Sequence, residues 1–313
     1  MNQNHKHHIS YIGFFLALSG AILFSTKAIL VKLAFQSTKV DAVTLLFLRM
    51  LFSLPFYIVI AWFSSKKEGV SRITSREWML IATMGILGYY LSSLFDFIGL
   101  QYVSAGLERL ILFLYPTFSV LINTFYFKSH LAKKQIIALI LTYIGIGLAY
   151  FAELQVTNAN PYFFFGSFMI FLCAITYSIY LVGTGRMVQK VGSTRYTAYA
   201  MLFATVGVFI HFLTTRSQQA MNYETNLLGY GVALAIVATV VPSFLISNAM
   251  KKIGSNNVSI ITSIGPVSTI LQAHFILGEK MFPLQVVGTL IVVVGVILIG
   301  WKTKSSQKNE VKD

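Results

Sequence analysis

The sequence predicts an all-α integral membrane protein whose ten transmembrane helices form a 5+5 inverted-topology repeat. Three observations lead there. The 313 residues are 56% hydrophobic and 11% charged, with a mean hydropathy of +0.72, whereas soluble domains carry about 25% charged residues. Apolar runs of about 20 residues, the length a spanning helix needs, recur along the whole chain. The two halves of the chain also resemble each other when offset by about 150 residues.

The first apolar run begins at Tyr11 and is too long for the core of a signal peptide. No small-residue cleavage site follows it, so it reads as a retained helix. The remaining runs place ten spans at about 11–34, 41–63, 77–99, 103–127, 132–152, 162–184, 197–215, 226–250, 256–277 and 282–301. The connections are short and leave no room for a soluble domain. The chain therefore divides into a tail 1–10, a five-helix repeat 11–152, a second repeat 162–301 and a basic tail 302–313.

Orientation follows from lysine and arginine. Seventeen of the 24 lie in the two tails and the even-numbered loops, four lie on the opposite side, and Lys27, Arg49 and Arg109 lie within helices. The positive-inside rule then puts both termini in the cytoplasm. The three tryptophans, Trp62, Trp78 and Trp301, fall at cytoplasmic helix ends, as interfacial anchors do. The net charge of +14 is thus a matter of topology, and no nucleic-acid partner is expected. The single cysteine, Cys173, lies inside an apolar run and reads as a small buried side chain.

The repeat is gapless where it is clearest. At an offset of 150, "LYPTFSVLINTFYF" (114–127) lies on "IGPVSTILQAHFIL" (264–277), so that Pro116 meets Pro266 and Phe125 meets Phe275. At an offset of 153, Gly13 meets Gly166, Ala21 meets Ala174, and Ser25 meets Ser178. Five helices is an odd number, so the second half must enter the membrane with opposite orientation, an arrangement typical of secondary transporters. The loop after the fourth span begins with Lys128, whereas the aligned loop after the ninth carries Glu279, as expected if the two lie on opposite sides. In the fifth and tenth spans, Ala138 and Gly145 align with Gly288 and Gly295, small residues on one face that favour close helix packing.

The stretches "LRMLFSLPF" (48–56), "GLQYVSAGLERLILFLYPTFSVL" (99–121) and "PSFLISNAMKKIGSNNVSIITSIGPVSTILQAHFILGEK" (242–280), in this order, resemble the EamA-type members of the drug/metabolite transporter superfamily. The resemblance covers about residues 11–301. It implies a bundle in which spans 1–4 and 6–9 surround a central cavity, with spans 5 and 10 outside. It also implies movement of a small metabolite by alternating access, with amino acids and export favoured. Lys27 departs from the family, whose members usually carry a small or neutral residue there.

Charges within spans cost roughly 2.5–3.5 kcal/mol each at the bilayer centre, so they single out candidate residues. Lys27, Arg49, Asp96, Glu108 and Arg109 all fall in the outer half of the first repeat, shallow enough to reach water, while Val258 and Ser259 replace Glu108 and Arg109 in the second. They are expected to form a gate or binding wall at the outer mouth. Because adjacent residues do not share a helix face, Glu108 and Arg109 should find different partners. Pro116 and Pro266 each free a backbone carbonyl near mid-membrane, with Tyr115, Ser263 and Gln272 nearby, and His274 is a candidate for proton coupling. No metal, nucleotide or nucleophile motif accompanies them, so neither an enzyme nor a cofactor is expected. The expected partners are a small-molecule substrate, membrane lipid and a coupling proton or other ion, for a monomer or homodimer in the cytoplasmic membrane. A non-transporting membrane sensor or assembly factor on a transporter-like fold is the alternative.

Overall fold

The computed structural model describes residues 11–66, 73–127, 133–154, 161–216, 225–262 and 264–300. Among these residues there is no strand. The helices are α1 (Tyr11–Ser37), α2 (Ala42–Ser65), α3 (Ser75–Gly85), α4 (Ser92–Leu100), α5 (Ala105–Leu112), α6 (Tyr115–Phe127), α7 (Lys133–Leu154), α8 (Phe163–Val191), α9 (Ser193–Arg216), α10 (Thr225–Ala235), α11 (Val241–Thr262), α12 (Gly265–Leu277) and α13 (Pro283–Gly300). Seven helical stretches are long and apolar enough to cross a membrane, and two shorter apolar helices, Leu139–Leu154 and Pro283–Gly295, accompany them. Both tails and Ser263 lie outside the described residues.

Helix ends follow local chemistry. The Asp41 carboxylate accepts from the Val43 and Thr44 N–H groups at 3.0 and 3.2 Å and starts α2. Thr74 and Glu77 form a reciprocal capping box on α3. Gly192, at φ 84°, stops α8. Nothing earlier breaks that helix, so it runs past the expected end at 184 to Val191.

The third span is not regular: a π-helical stretch, Ile86–Leu91, joins α3 to α4. A second one, Ile236–Val240, joins α10 to α11. The two begin 150 residues apart, the offset of the sequence repeat. The fourth span, expected to be continuous, breaks at Phe113–Leu114 between α5 and α6. Pro116 has no N–H to offer the Leu112 carbonyl, which favours a break there. Ile264 interrupts the helix at the aligned position before Pro266.

The expected connection at 251–255 is helical instead, as part of α11. Contacts with α1 nevertheless show a reversal. A Cβ on Gly20 would meet Ile246 at 2.9 Å and one on Gly13 would meet Lys252 at 3.1 Å, so this part of α11 runs antiparallel to α1. Val258 clusters with Ala17, and Ser25 Oγ donates to the Gly265 carbonyl at 3.1 Å. The chain therefore turns back along α1 between Ile253 and Val258.

The halves interlock. α1 packs on α11 and α8 on α4, while α2 packs on α9 and α7 on α13. Interchanging the halves leaves this set unchanged, as a two-fold relation requires. Side chains repeat the pattern: Gly13 packs on Ile253, and Gly166 packs on Val103, the residue aligned with it. At the α7–α13 crossing the backbones of Gly145 and Gly288 touch, leaving no space for a Cβ on either. The outward faces of this pair carry exposed Ile137, Ile140, Tyr143, Val287 and Leu290, in keeping with a peripheral position.

Candidate functional site

Four of the five membrane-embedded charges converge where α1, α4, α5 and α12 meet. Lys27 Nζ, on α1, lies 2.7 Å from Asp96 Oδ2 on α4. The Glu108 carboxyl, on α5, lies close to Asp96. Asp96 and Glu108 are 0% exposed. The expectation of reaching water is therefore corrected for Asp96 and Glu108, whereas Lys27 keeps 15% of its side chain exposed. Leu107, Ile111, Ile170, Cys173 and Ala174 form an apolar cluster beside α4 and α5 that helps seal it. Cys173 itself pairs with Ser92 Oγ at 3.3 Å, next to this group.

Glu108 and Arg109 do turn to different partners. The Arg109 guanidinium lies 5.8 Å over the Phe113 ring and against Gly265, where a Cβ would come within 3.1 Å of Nη2. Its Nε is buried without a hydrogen-bond partner. Tyr115 lies near it and stacks edge-on to Tyr177 at 5.1 Å and to Phe113 at 5.7 Å. Pro116 and Pro266 follow the two helix breaks that border this region.

Arg49 stands apart from the pair. Its Nε donates to Thr239 Oγ1 at 2.9 Å and its Nη1 to Ser93 Oγ at 3.1 Å, so it ties α2 to the second π-helical stretch and to α4. Gln272 donates to the Ile22 carbonyl at 3.3 Å and to Ser268 Oγ at 2.9 Å, docking α12 on α1. His274 Nδ1 pairs with the Glu279 carbonyl oxygen at 2.9 Å at the far end of α12, away from the carboxyl pair.

Sequence reasoning did not find the arrangement at the start of α5. Glu153 Oε1, from the end of α7, accepts from Ser104 N at 3.2 Å. Glu279, from the loop after α12, accepts from Ala105 N at 3.0 Å and Gly106 N at 3.5 Å. Ser104 Oγ accepts from Leu107 N at 3.0 Å. Three side chains thus satisfy four successive N–H groups that a helix start leaves open, and the carboxylates suit its positive end. Lys32 on α1 lies within the field of both carboxylates. The signal available in sequence was scarcity: the chain has only ten acidic residues, and Glu153 ends an apolar span.

An apolar multi-helix bundle with sealed charges between its helices is a multi-pass membrane protein, and its relatives give the class as transporter. The chain belongs to the EamA-like transporter family, whose model matches residues 11–151 and 164–301. It is 30% identical over 285 residues to the uncharacterized transporter YcbK of Bacillus subtilis, covering 88% of each chain. It is 24% identical to YdfC of the same organism over 73% of each chain. An uncharacterized transporter of Archaeoglobus fulgidus is 21% identical over 88% of this chain and 93% of its own. One crystal structure shares the fold with a TM-score of 0.63 at 16% identity, covering 92% of this chain and 96% of the other.

Proposed function

We propose that this chain is a secondary transporter that moves a small polar metabolite across the cytoplasmic membrane by alternating access. Ten crossings in two inverted five-helix repeats, 11–152 and 162–301, put both termini in the cytoplasm. An amino acid or a related compound is the favoured cargo, and export the favoured direction, both on the family resemblance. The observation that carries the reading is the buried carboxyl pair of Asp96 and Glu108, with Lys27 against Asp96, beside two interrupted helices. Charges held away from water in a membrane are expensive and mark transport pathways, and broken helices are where such proteins expose backbone to substrate.

Asp96 and Glu108 also suit a coupling proton. Both carboxyls only accept when ionised, so a hydrogen bond between them requires a proton. Lys27 supplies the charge that either replaces or competes with that proton. His274, tied to the Glu279 backbone, is a weaker candidate for this role.

The test is counterflow in liposomes loaded with pooled amino acids and small metabolites, with each labelled compound added outside. Accumulation of one class by the natural chain, lost in Glu108→Gln, is the expected result. Folded protein that accumulates no compound would favour a non-transporting sensor. A Glu108→Gln variant with normal flux would remove the carboxyl pair from the mechanism.

A further inference from the structure

We infer that Arg109 is a receptor for the carboxylate of an organic anion with an apolar or aromatic body. The inference deepens the transport reading and rests on it for the claim that this anion is cargo.

Lys27, Arg49 and Arg109 differ in how their charges are satisfied. Lys27 has Asp96 at 2.7 Å. Arg49 has two hydroxyls, Thr239 and Ser93. Arg109 has neither: no ion pair or hydrogen bond to its guanidinium is present among the described residues, and Nε is sealed from solvent without a partner. An unpartnered buried donor on a charged group costs more than an ordinary lost hydrogen bond. The adjacent carboxylate, Glu108, lies beside Asp96 and forms no ion pair with Arg109 among the described residues.

The surroundings indicate what the missing partner is. A guanidinium presents a planar fork of donors that matches a carboxylate bidentately. One side of Arg109 is held by Phe113. The rings of Phe113, Tyr115 and Tyr177 form an edge-to-face series beside it. On the other side Gly265 leaves the guanidinium a seat that any larger residue would take. This residue lies at the start of α12, just past the helix interruption. A carboxylate at Arg109 therefore places the rest of its molecule against aromatic rings.

The experiment is thermal unfolding of the purified full chain in detergent with benzoate, and with benzamide as its uncharged match, at fixed ionic strength. Benzoate should raise Tm in a saturable way and benzamide should not. The shift should vanish in Arg109→Gln, persist in weakened form in Arg109→Lys, and remain in Arg49→Lys, which guards against a general loss of folding. Equal shifts from benzoate and benzamide would overturn the assignment. So would no benzoate shift in the natural chain, or a full shift in Arg109→Gln. Counterflow separates the two claims. An Arg109-dependent benzoate shift without any flux would leave the receptor standing and sink the transport reading, whereas flux of uncharged compounds without a benzoate shift would do the reverse.

Discussion

Removing the Glu279 side chain should open the end of the bundle at which α5 begins. In Glu279→Ala, the Ala105 N–H loses a 3.0 Å bond to a carboxylate, and the Gly106 N–H loses a longer one at 3.5 Å. A hydrogen bond to a charged group is worth about 1.5–3 kcal/mol. The second contact is at the limit of bonding, so about 2 kcal/mol is a fair total. Ser104 and Leu107 keep their partners, Glu153 and the Ser104 hydroxyl. If α5 swings away from Glu279 during transport, only the sealed state loses this energy. At 1.4 kcal/mol per factor of ten, the opened population rises about 30-fold.

The chain carries its own reporter. Cys173 is the single cysteine, is 2% exposed, and sits beside Ser92 near the carboxyl pair. When opening is fast relative to modification, the rate of modification follows the opened population. A membrane-impermeant maleimide, added from the side on which Glu279 lies, should therefore label Cys173 about 30 times faster in the variant. Cys173→Ser supplies the blank. An unchanged rate, in protein of normal helical content, would refute the idea that Glu279 holds this end shut.

Lys27→Met should lower stability by about 3–5 kcal/mol, because it leaves Asp96 buried and unpaired; adding Asp96→Asn should recover most of that loss, as read by thermal unfolding in a double-mutant cycle. Arg49→Met should cost about 1 kcal/mol of stability by leaving the Ser93 hydroxyl without its partner, while Thr239 keeps its bond to the Leu234 carbonyl, yet leave the benzoate response intact, since Arg49 faces hydroxyls. Gly145→Val should lower Tm and free α7 from α13, because the Gly288 backbone already occupies the space; overpacking of this kind costs about 1–3 kcal/mol. A Tm equal to that of the natural chain would mean the two helices separate at no cost.

Much of this organisation was legible because the signals were local or periodic. Hydropathy alone located most helices, and the gapless register aligned Pro116 with Pro266, although the spans that hold them were expected to run unbroken and each is interrupted just before its proline. The price of a charge in lipid picked out Lys27 and Asp96, which do pair. What escaped depended on tertiary partners. Nothing in "ILGYYL" or "IVATV" announces a π-helical stretch; the first of these accommodates the Tyr180 ring against Gly88. Glu279 reaches α5 across 174 residues of sequence, a distance over which no motif operates. Depth arithmetic placed Glu108 near water because it counts turns along one helix and ignores the neighbours that cover it.

The exchange of partners between the halves has a consequence for how the protein is made. α1 leaves the ribosome some two hundred residues before α11, on which it finally rests. At about 5–20 residues per second that is a wait of roughly 10–40 s in the bilayer. α4, by contrast, is complete within the first third of the chain, and it brings Asp96 to Lys27. The ion pair can therefore form during biogenesis, neutralising both charges while the nascent first half still lacks the second.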